Sequence, residues 1–348
     1  MLTGKKAVTK EIGSDFWDVS TINNAHSLFS TSVQWFLSGR VALQAIIKGL
    51  KGKKTVAIPS WCCDSMVKPF TDGGMEVRFY PVYYRNGLIQ DIHLNCDILL
   101  VMDYFGYTGT KVDLSCYDGI VIRDVTHSFF SKTYSDADYY FGSLRKWCGV
   151  WTGGYAWTDN NRQMLTSSDG NDNGYTNLRK IAMKLKFCYI NKTQDDNGNL
   201  IKDKSYLSIY NEAEEILENV DITSASERDI VLAHKLDVDY IKTQRRTNAQ
   251  ILMHEFAEQT MFSTLNKDDC PLFVPVLVPY GKRDELRRYL IQHDIYCPVH
   301  WPISKYHNLD ERTESIYKNE LSLVCDQRYT EEDMYRIVDT IKNFWRGN

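Results

Sequence analysis

Short apolar segments, each bounded by turn residues, recur along the first half of the chain. The clearest is Asp97–Asp103, in which every residue between the two aspartates is apolar. Continuous apolar runs of this length are typical of strands that are buried on both faces, as in a parallel sheet. Strands are therefore predicted at Thr55–Pro59, Glu76–Val82, Asp97–Asp103, Gly119–Asp124, Asp138–Gly142 and Gly154–Trp157.

Helical patterns lie between and after these segments. Ser38-Gly39-Arg40 leads into the apolar run Val41–Ile47, which predicts a glycine turn that opens a helix. The early strands are far enough apart for crossover helices, so we expect an α/β sheet over roughly residues 35 to 160. Apolar residues at a spacing near 3.6 predict later helices at Leu178–Cys188, Tyr206–Glu218 and Val238–Phe256.

The pattern changes near Pro271, where short strands and helices alternate. Thr330, followed three residues later by Asp333, predicts a capped start for the last helix. We expect a large α/β domain over residues 1–260, with the N-terminal segment and the helical middle region, and a smaller α+β domain over residues 261–348. The smaller domain would contain strands at Leu272–Pro279, Ile295–Pro298 and Glu320–Val324 and a helix at Asp284–His293.

Composition and charge narrow the class of protein. The 348 residues are 43% hydrophobic and 25% charged, as in ordinary soluble globular proteins. The formal net charge is −4 and no block of five or more like charges occurs, so nothing indicates nucleic acid or a membrane as a partner. Residues 1–15 lack the apolar core of a signal peptide, and the apolar runs are too short to span a bilayer. We expect a cytoplasmic protein.

The nine cysteines predict neither a metal site nor a disulfide framework. Their number is odd and no Cys-x-x-Cys pair is present, so reduced and mostly buried thiols are expected.

Candidate chemistry lies at the ends of the predicted strands. Asp103 and Asp124 follow buried strands, at the edge where open α/β sheets collect ligands, although loop capping explains either residue on position alone. His127 lies three residues after Asp124. Lys146 lies just beyond another strand, and a lysine there can form an imine with a carbonyl. Pyridoxal phosphate (PLP) requires such a lysine, an acid for its ring nitrogen and a phosphate cradle, and all three are available.

In these residues the chain resembles the DegT/DnrJ/EryC1/StrS aminotransferases, often called sugar aminotransferases. The resemblance extends from about Ser38 to Trp345 and depends on an ordered set of matches rather than on one motif. It implies the aspartate-aminotransferase-like fold of type I PLP-dependent transferases, a mostly parallel central sheet with helices on both faces plus a smaller C-terminal α+β domain. The matches are Ser38–Leu43, Ile58–Ser60 with Gly74–Val77, Asp103–Gly106, Val121–His127, and Ser143–Lys146 followed by Gly153-Gly154.

The resemblance also implies a role for each residue of a PLP site. Lys146 would hold PLP as a Schiff base and then act as general acid and base. Asp124 would pair with the pyridine nitrogen, and His127 would contact the ring oxygen. Gly39 and Arg40 would offer backbone N–H groups to the phosphate at a helix N-terminus, where the helix dipole favours an anion.

Two positions depart from the family pattern. Ser143 would donate its hydroxyl to the phosphate from three residues before the lysine, as in several fold type I aminotransferases. Many sugar aminotransferases carry that serine five residues before, where this chain has Phe141. The family usually has a ring-stacking aromatic shortly after the Pro-Ser pair. An ungapped match places Cys63 there. Either Trp61 stacks on the ring instead or no aromatic does, and core packing explains Trp61 equally well.

The sequence indicates the substrate-binding residues less clearly than the cofactor-binding residues. His300 lies in the segment Cys297–Pro302, which matches the family's substrate-lining segment. Tyr104 follows the strand end that faces the cofactor. Arg145 is interpreted equally well as an anion-binding residue or as half of a surface ion pair. For Arg328 a cap or salt bridge is favoured over carboxylate binding, and Arg245 is expected to be solvated.

The implied function is transamination from an amino donor, by family likeness glutamate, to a keto group of a sugar nucleotide or similar carbonyl metabolite. Family likeness also implies a homodimer with the active site at the interface. The alternatives are another PLP-dependent reaction on a small keto phosphate or sugar, and a PLP-binding regulatory protein. Family members that dehydrate carry His in place of the lysine, so Lys146 argues against that branch.

Overall fold

A seven-stranded sheet forms the centre of the molecule. The computed structural model describes residues 11–23, 25, 28–29, 32–109, 112–114, 117–132, 135–159, 163–164, 166–168, 170–307 and 309–347. The strands are β1 (Ile12–Gly13), β2 (Gln34–Phe36), β3 (Thr55–Pro59), β4 (Glu76–Tyr80), β5 (Val82–Tyr84), β6 (Leu88–Gln90), β7 (Ile98–Met102), β8 (Ile120–Asp124), β9 (Tyr139–Ser143), β10 (Gly154–Trp157), β11 (Phe273–Leu277), β12 (Ile295–Tyr296) and β13 (Glu320–Val324). The α-helices are α1 (Gly39–Gly49), α2 (Asp64–Asp72), α3 (Tyr175–Asn191), α4 (Tyr206–Ile216), α5 (Glu227–Ala233), α6 (Val238–Glu255), α7 (Arg283–Gln292), α8 (Glu311–Asn319) and α9 (Glu331–Gly347).

The central sheet has the order β2-β10-β9-β8-β7-β3-β4. The run from β9 to β4 is parallel, and β10 is antiparallel to both β9 and β2. Each of the six predicted apolar segments contributes a strand to it. The segment predicted as Glu76–Val82 is divided, because Pro81 has no N–H to continue the ladder and β5 pairs instead with β6.

Burial explains the apolar pattern of the central strands. Every residue of β7 and of β8 is buried, as expected for parallel strands that are covered on both faces. Helix α1 packs against β9 and β10, and its N-terminus is capped by Ser38, whose Oγ accepts a hydrogen bond from the Val41 N–H at 3.3 Å. The start of α1 is therefore held at the edge of the sheet where β9 ends.

The C-terminal part of the chain forms a smaller α+β unit. Strands β11 and β13 pair antiparallel, helix α7 packs on β13 and α8 on β11, and α9 packs on α7 and α6. The N-terminal segment joins this unit rather than the large sheet, because Ile12 pairs with Ile295 and the Gly13 N–H donates to the Tyr329 hydroxyl at 2.8 Å. The division into domains at residue 260 stays a prediction. It assigned the N-terminal segment to the large domain, whereas β1 pairs with β12 of the C-terminal unit.

Within the described ranges, no helix has the length and apolar character needed to cross a membrane. The eight cysteines in these ranges are free thiols, and six of them are buried. Cys116 lies outside the described residues.

Candidate active site

The ends of β8 and β9 meet at one cavity. Strand β8 ends at Asp124, which lies opposite Phe141 of β9, and Lys146 follows β9 in a 3₁₀ turn. A cavity of about 130 Å³, here called the first cavity, lies at this edge. It is lined by Ser38, Gly39, Arg40, Cys63, Ser65, Met66, Met102, Asp124, Thr126, His127, Phe141, Ser143, Arg145, Lys146, Glu214, Leu217 and Trp301. The fold thus brings together Asp124 and His127, which the sequence assigned to the cofactor ring. Lys146, the predicted Schiff-base residue, and the predicted phosphate end at Gly39 and Arg40 line the same cavity.

Asp124 is a buried carboxylate on the floor of this cavity. Its Oδ1 accepts a hydrogen bond from the Thr126 N–H at 2.8 Å. Burial raises the pKa of Asp124 to about 6, although the bonds from Thr126 and the charge of Lys146 act in the opposite direction. A cationic group placed beside Asp124 would restore its ionised form, so the site is suited to a protonated ring nitrogen.

His127 is buried beside Asp124, with its Nδ1 lacking a hydrogen-bond partner among the described residues. Burial lowers the pKa of His127 well below its ordinary value, and the electrostatic effects of the neighbouring His300 and Lys146 act in the same direction. The imidazole is therefore neutral and can donate or accept one hydrogen bond. Trp301, which the sequence did not single out, lies nearly parallel to it at a centroid distance of 5.6 Å.

The N-terminus of α1 forms the other end of the first cavity. Gly39 allows a close approach here, because a Cβ at this position would lie 3.2 Å from both the Gly142 oxygen and the Ser143 Cβ. Arg40 has a buried Nε with no partner among the described residues. The first N–H groups of a helix have no acceptor within the helix and attract anions, so this end is suited to a phosphate.

Arg145 links this edge to the helices that follow the sheet. Its guanidinium forms an ion pair with Glu214 of α4 and donates a hydrogen bond to the Tyr175 hydroxyl of α3. The pKa of Glu214 is lowered because Arg145 and Arg179 outweigh the effect of its burial. Of the two interpretations of Arg145, the ion pair is observed, although the Arg145 side chain is largely buried rather than on the surface. Glu214 was missed by sequence reasoning, since only packing brings α4 to the cavity.

Two aromatic residues proposed for the site lie in the core instead. Trp61 and Tyr104 are fully buried and stack on each other at 5.0 Å, and neither lines the first cavity. The Tyr104 hydroxyl donates to the Trp61 carbonyl at 2.6 Å. This corrects the stacking prediction for Trp61 and the substrate prediction for Tyr104, because both rings are buried in the core and neither faces the first cavity. Cys63, the ungapped match, does line the cavity.

Asp103, at the end of β7, takes the structural role that position alone favoured. It forms an ion pair with the buried Arg123 at 2.5 Å and accepts from the Ser128 hydroxyl at 2.9 Å. It does not line the first cavity, so Asp124 is the strand-end aspartate that faces Lys146.

A second cavity of about 370 Å³ shares Arg145 and Lys146 with the first. Residues from the N-terminal segment, from α6 and from the C-terminal unit complete it. His300 lies here, with its Nδ1 2.8 Å from the Ser322 hydroxyl, so the predicted substrate residue lines the same cavity as Lys146. The second cavity is lined by Gly13, Ser14, Asp15, Phe16, Arg145, Lys146, Arg245, Leu272, Phe273, Arg287, Ile291, Tyr296, Cys297, Pro298, His300, Val324, Asp326 and Arg328.

The prediction that Arg245 is solvated is wrong. Its side chain is fully buried, because it lies on the same face of α6 as Ile241, Asn248 and Leu252. These residues are spaced at three to four positions, so helical periodicity was the signal that could have placed it inside. Arg328 forms the favoured salt bridge, with Asp326 at 2.9 Å.

No family model matches the chain, and no curated protein matches it in sequence. Solved structures match its fold along most of its length. PseC from Helicobacter pylori, an aminotransferase involved in the biosynthesis of pseudoaminic acid, is 13% identical with a TM-score of 0.63, over 96% of this chain and 100% of PseC. A DegT/DnrJ/EryC1/StrS aminotransferase from Brucella abortus is 14% identical with a TM-score of 0.60, over 90% and 85% of the two chains. NtdA from Bacillus subtilis, solved with bound cofactor PMP, is 15% identical with a TM-score of 0.60, over 89% and 72%. The chain therefore has the fold of the DegT/DnrJ/EryC1/StrS aminotransferases, and the predicted fold class is confirmed.

Proposed function

We propose that the protein is a PLP-dependent aminotransferase that transfers an amino group from an amino donor, glutamate by family likeness, to a keto group of a sugar-like substrate. The observation that carries this proposal is the first cavity. There Lys146, Asp124 and the N-terminus of α1 meet at the carboxyl edge of an aminotransferase-type sheet. A sugar nucleotide is the proposed form of the acceptor.

The residues of the first cavity fit PLP group by group. Three buried polar atoms of its lining, Arg40 Nε, His127 Nδ1 and Arg145 Nε, have no partner among the described residues. Buried polar groups are rarely left unpaired, so a ligand with polar groups at both ends is expected there. A phosphate suits the α1 N-terminus with Arg40 and the Ser143 hydroxyl, a ring oxygen suits His127, and a protonated ring nitrogen suits Asp124.

When bound, PLP supplies an aldehyde carbon and a ring that accepts electrons from the substrate. Lys146 would offer its Nζ to that carbon and, once released, would move a proton as general acid and base from the substrate carbon to the former aldehyde carbon. Asp124 keeps the ring nitrogen protonated through its negative charge. The neutral His127 orients the ring oxygen without adding a charge to the site.

The test is an absorbance spectrum of the protein reconstituted with PLP. We expect a visible band from the lysine-bound cofactor, which borohydride traps on Lys146 and which glutamate removes. A Lys146→Ala variant should lack the band, whereas replacement of the exposed Lys51 by alanine should leave it unchanged. A wild-type protein without trappable cofactor would refute the proposal. Bound cofactor that no amino donor converts would favour the regulatory or non-transaminase alternatives.

We also propose, from family likeness, that the protein acts as a homodimer with the active site near the interface. Light scattering at micromolar concentration should give twice the mass of one chain. A monomer that retains full activity would contradict this proposal.

A further inference from the structure

A glutamate and a serine lie inside the buried strand β13. Every residue of β13 is buried, and Glu320 and Ser322 are both 0% exposed. Residues two positions apart in a strand point to the same face, so these two polar side chains meet the same neighbours. A buried carboxylate is costly unless hydrogen bonds satisfy it, so the pair indicates a specific partner.

His300, in the segment that follows β12, is that partner. Its backbone N–H donates to Glu320 Oε2 at 2.8 Å, and its ring Nδ1 lies 2.8 Å from the Ser322 hydroxyl. The same hydroxyl donates to Glu320 Oε1 at 2.5 Å. Glu320, Ser322 and His300 thus form a closed set of hydrogen bonds, here called the relay.

The relay determines which ring nitrogen of His300 carries the hydrogen. A serine hydroxyl has one hydrogen to donate, and Ser322 gives it to Glu320. Ser322 can therefore only accept from His300, so the ring hydrogen lies on Nδ1. In a neutral imidazole the other nitrogen, Nε2, then has a lone pair and no hydrogen.

The ring of His300 borders the second cavity, which Lys146 also lines. Its side chain is 11% exposed, and the rings of Phe105 and Phe273 hold it from two sides, each at a centroid distance of 5.2 Å. Nε2 forms no hydrogen bond with any residue that the structure describes. Its lone pair is therefore left for a ligand.

Resting on the proposed function for the nature of the ligand, we propose that Glu320 and Ser322 are positioning residues. They hold His300 protonated at Nδ1, so that Nε2 presents a hydrogen-bond acceptor to the second cavity. A substrate group beside His300 must then be a donor, such as a hydroxyl of the sugar-like acceptor, because a carbonyl oxygen has no hydrogen to give. Neither Glu320 nor Ser322 would touch substrate, since both are fully buried.

Replacement of Glu320 by glutamine should reverse the relay without changing its shape. The His300 N–H still needs an acceptor, so the amide oxygen takes the place of Oε2. The amide NH₂ then faces Ser322 and donates to it. Ser322 is left to donate to His300 Nδ1, and the ring hydrogen moves to Nε2. The cavity would be offered a donor instead of an acceptor.

The test is nitrogen-15 NMR of the full chain labelled at its histidine rings, with and without PLP. The measurement is made at about pH 8, above the ordinary titration range of histidine. Loss of signals in His300→Gln identifies those of His300. We expect hydrogen at Nδ1 in the wild type, at Nε2 in Glu320→Gln, and a mixture in Ser322→Ala. Glu314→Gln, which alters an exposed glutamate of α8 paired with Lys318, should match the wild type.

A second readout is the rate at which diethyl pyrocarbonate modifies His300, followed by peptide mass spectrometry. This reagent reacts with an unprotonated ring nitrogen. Glu320→Gln should slow the reaction about threefold to tenfold, because the ring must first give up a hydrogen bond. His93 and His254, whose side chains are both 86% exposed, serve as internal controls and should react at unchanged rates. A role in packing alone would not reverse the tautomer.

The same reagent tests the link to substrate. UDP-glucose, a sugar nucleotide without a keto group, cannot undergo transamination. At millimolar concentration it should protect His300 of the PLP-loaded wild type, because a bound hydroxyl would occupy Nε2. Equal rates with and without this probe would overturn the assignment of Nε2 to a substrate hydroxyl.

The remaining outcomes separate the relay from the proposed function. A wild-type ring that carries hydrogen at Nε2, or at both nitrogens, would overturn the relay even if PLP binds and glutamate converts it. The wild-type spectrum decides this point if Glu320→Gln folds poorly. A protein with the expected tautomer that never binds PLP would overturn the proposed function, and with it the assignment of the ligand.

Discussion

The two cavities that meet at Lys146 are built in different ways. The first is formed mainly by residues that follow strands of one sheet or begin α1, such as Asp124 and Gly39. The second is formed by the N-terminal segment, α6 and the C-terminal unit, so that Asp15, Arg245 and Arg287 come from distant parts of the sequence. A parallel sheet collects its strand ends at one edge, whereas a site between separately packed elements depends on how they dock. The first cavity was therefore predictable by position, and most of the second was not.

The largest effect is expected at Lys146, which both cavities share. Replacement by alanine removes the only amine proposed to bind the cofactor covalently and to move the proton. We expect kcat to fall by at least about a thousandfold. Single-turnover kinetics with glutamate measures this loss, and retention of a tenth of the wild-type rate would show that the chemistry is not centred on this edge.

Asp124 should give the next largest effect and a distinctive pH dependence. Asp124→Asn should lower kcat by about a hundredfold, because an amide cannot hold the ring nitrogen protonated. Since the pKa of Asp124 is raised to about 6, this carboxyl is ionised above that pH and neutral below it. The affinity of the wild-type protein for PLP should therefore fall as the pH drops through about 6.

A fluorescence titration with PLP between pH 5 and 8 measures that dependence. The difference in PLP affinity between wild type and Asp124→Asn isolates the effect of the Asp124 carboxyl, because the phosphate and all other groups titrate in both proteins. A bound ring cation lowers the pKa of Asp124, so the loaded protein should lose activity only at a lower pH. Parallel curves for the two proteins would contradict the pairing.

A smaller effect is expected at the α1 end of the first cavity. Gly39→Ala places a Cβ 3.2 Å from the Gly142 oxygen and the Ser143 Cβ, so α1 must shift slightly away from β9. We expect PLP affinity to fall about threefold to tenfold, since the phosphate would lose part of its helix-terminal contact. Gly109→Ala is the control, because no atom lies within 4 Å of its added Cβ. Equal affinities in both variants would place the phosphate elsewhere.

The smallest effect should come from Tyr104, which sequence reasoning placed in the site and the fold places in the core. Tyr104→Phe removes the hydrogen bond to the Trp61 carbonyl, and the free energy of unfolding should fall by about 1 kcal/mol. Denaturant unfolding measures this change. The KM for either substrate and the affinity for PLP should stay within about twofold of wild type. A selective rise in KM would restore Tyr104 to the substrate site.

Local patterns predicted many elements of the fold well. Strands β3, β10 and β13 coincide with the predicted segments, since their apolar runs end at turn residues. Three helices were not predicted individually, namely α2, α5 and α8. Helices of seven to nine residues span too few turns to show a clear periodicity, and α2 contains Pro69. The N-terminal strand was equally invisible, because two residues carry no pattern of their own.

The sequence by itself determined the parallel sheet, the position of Lys146 after β9, and the placing of a strand-end aspartate near that lysine. These features follow from short-range patterns, because the carboxyl ends of neighbouring parallel strands lie at the same edge of the sheet. Only the tertiary structure decided which of two aspartates faces the lysine, since Asp103 is neutralised by Arg123. Packing also decided that the Trp61 ring lies in the core and does not face the first cavity. It decided as well that Arg245 is buried near Lys146 rather than solvated. The physical reason is the same in each case: the partners of these side chains lie far away in sequence, and burial assigns their roles.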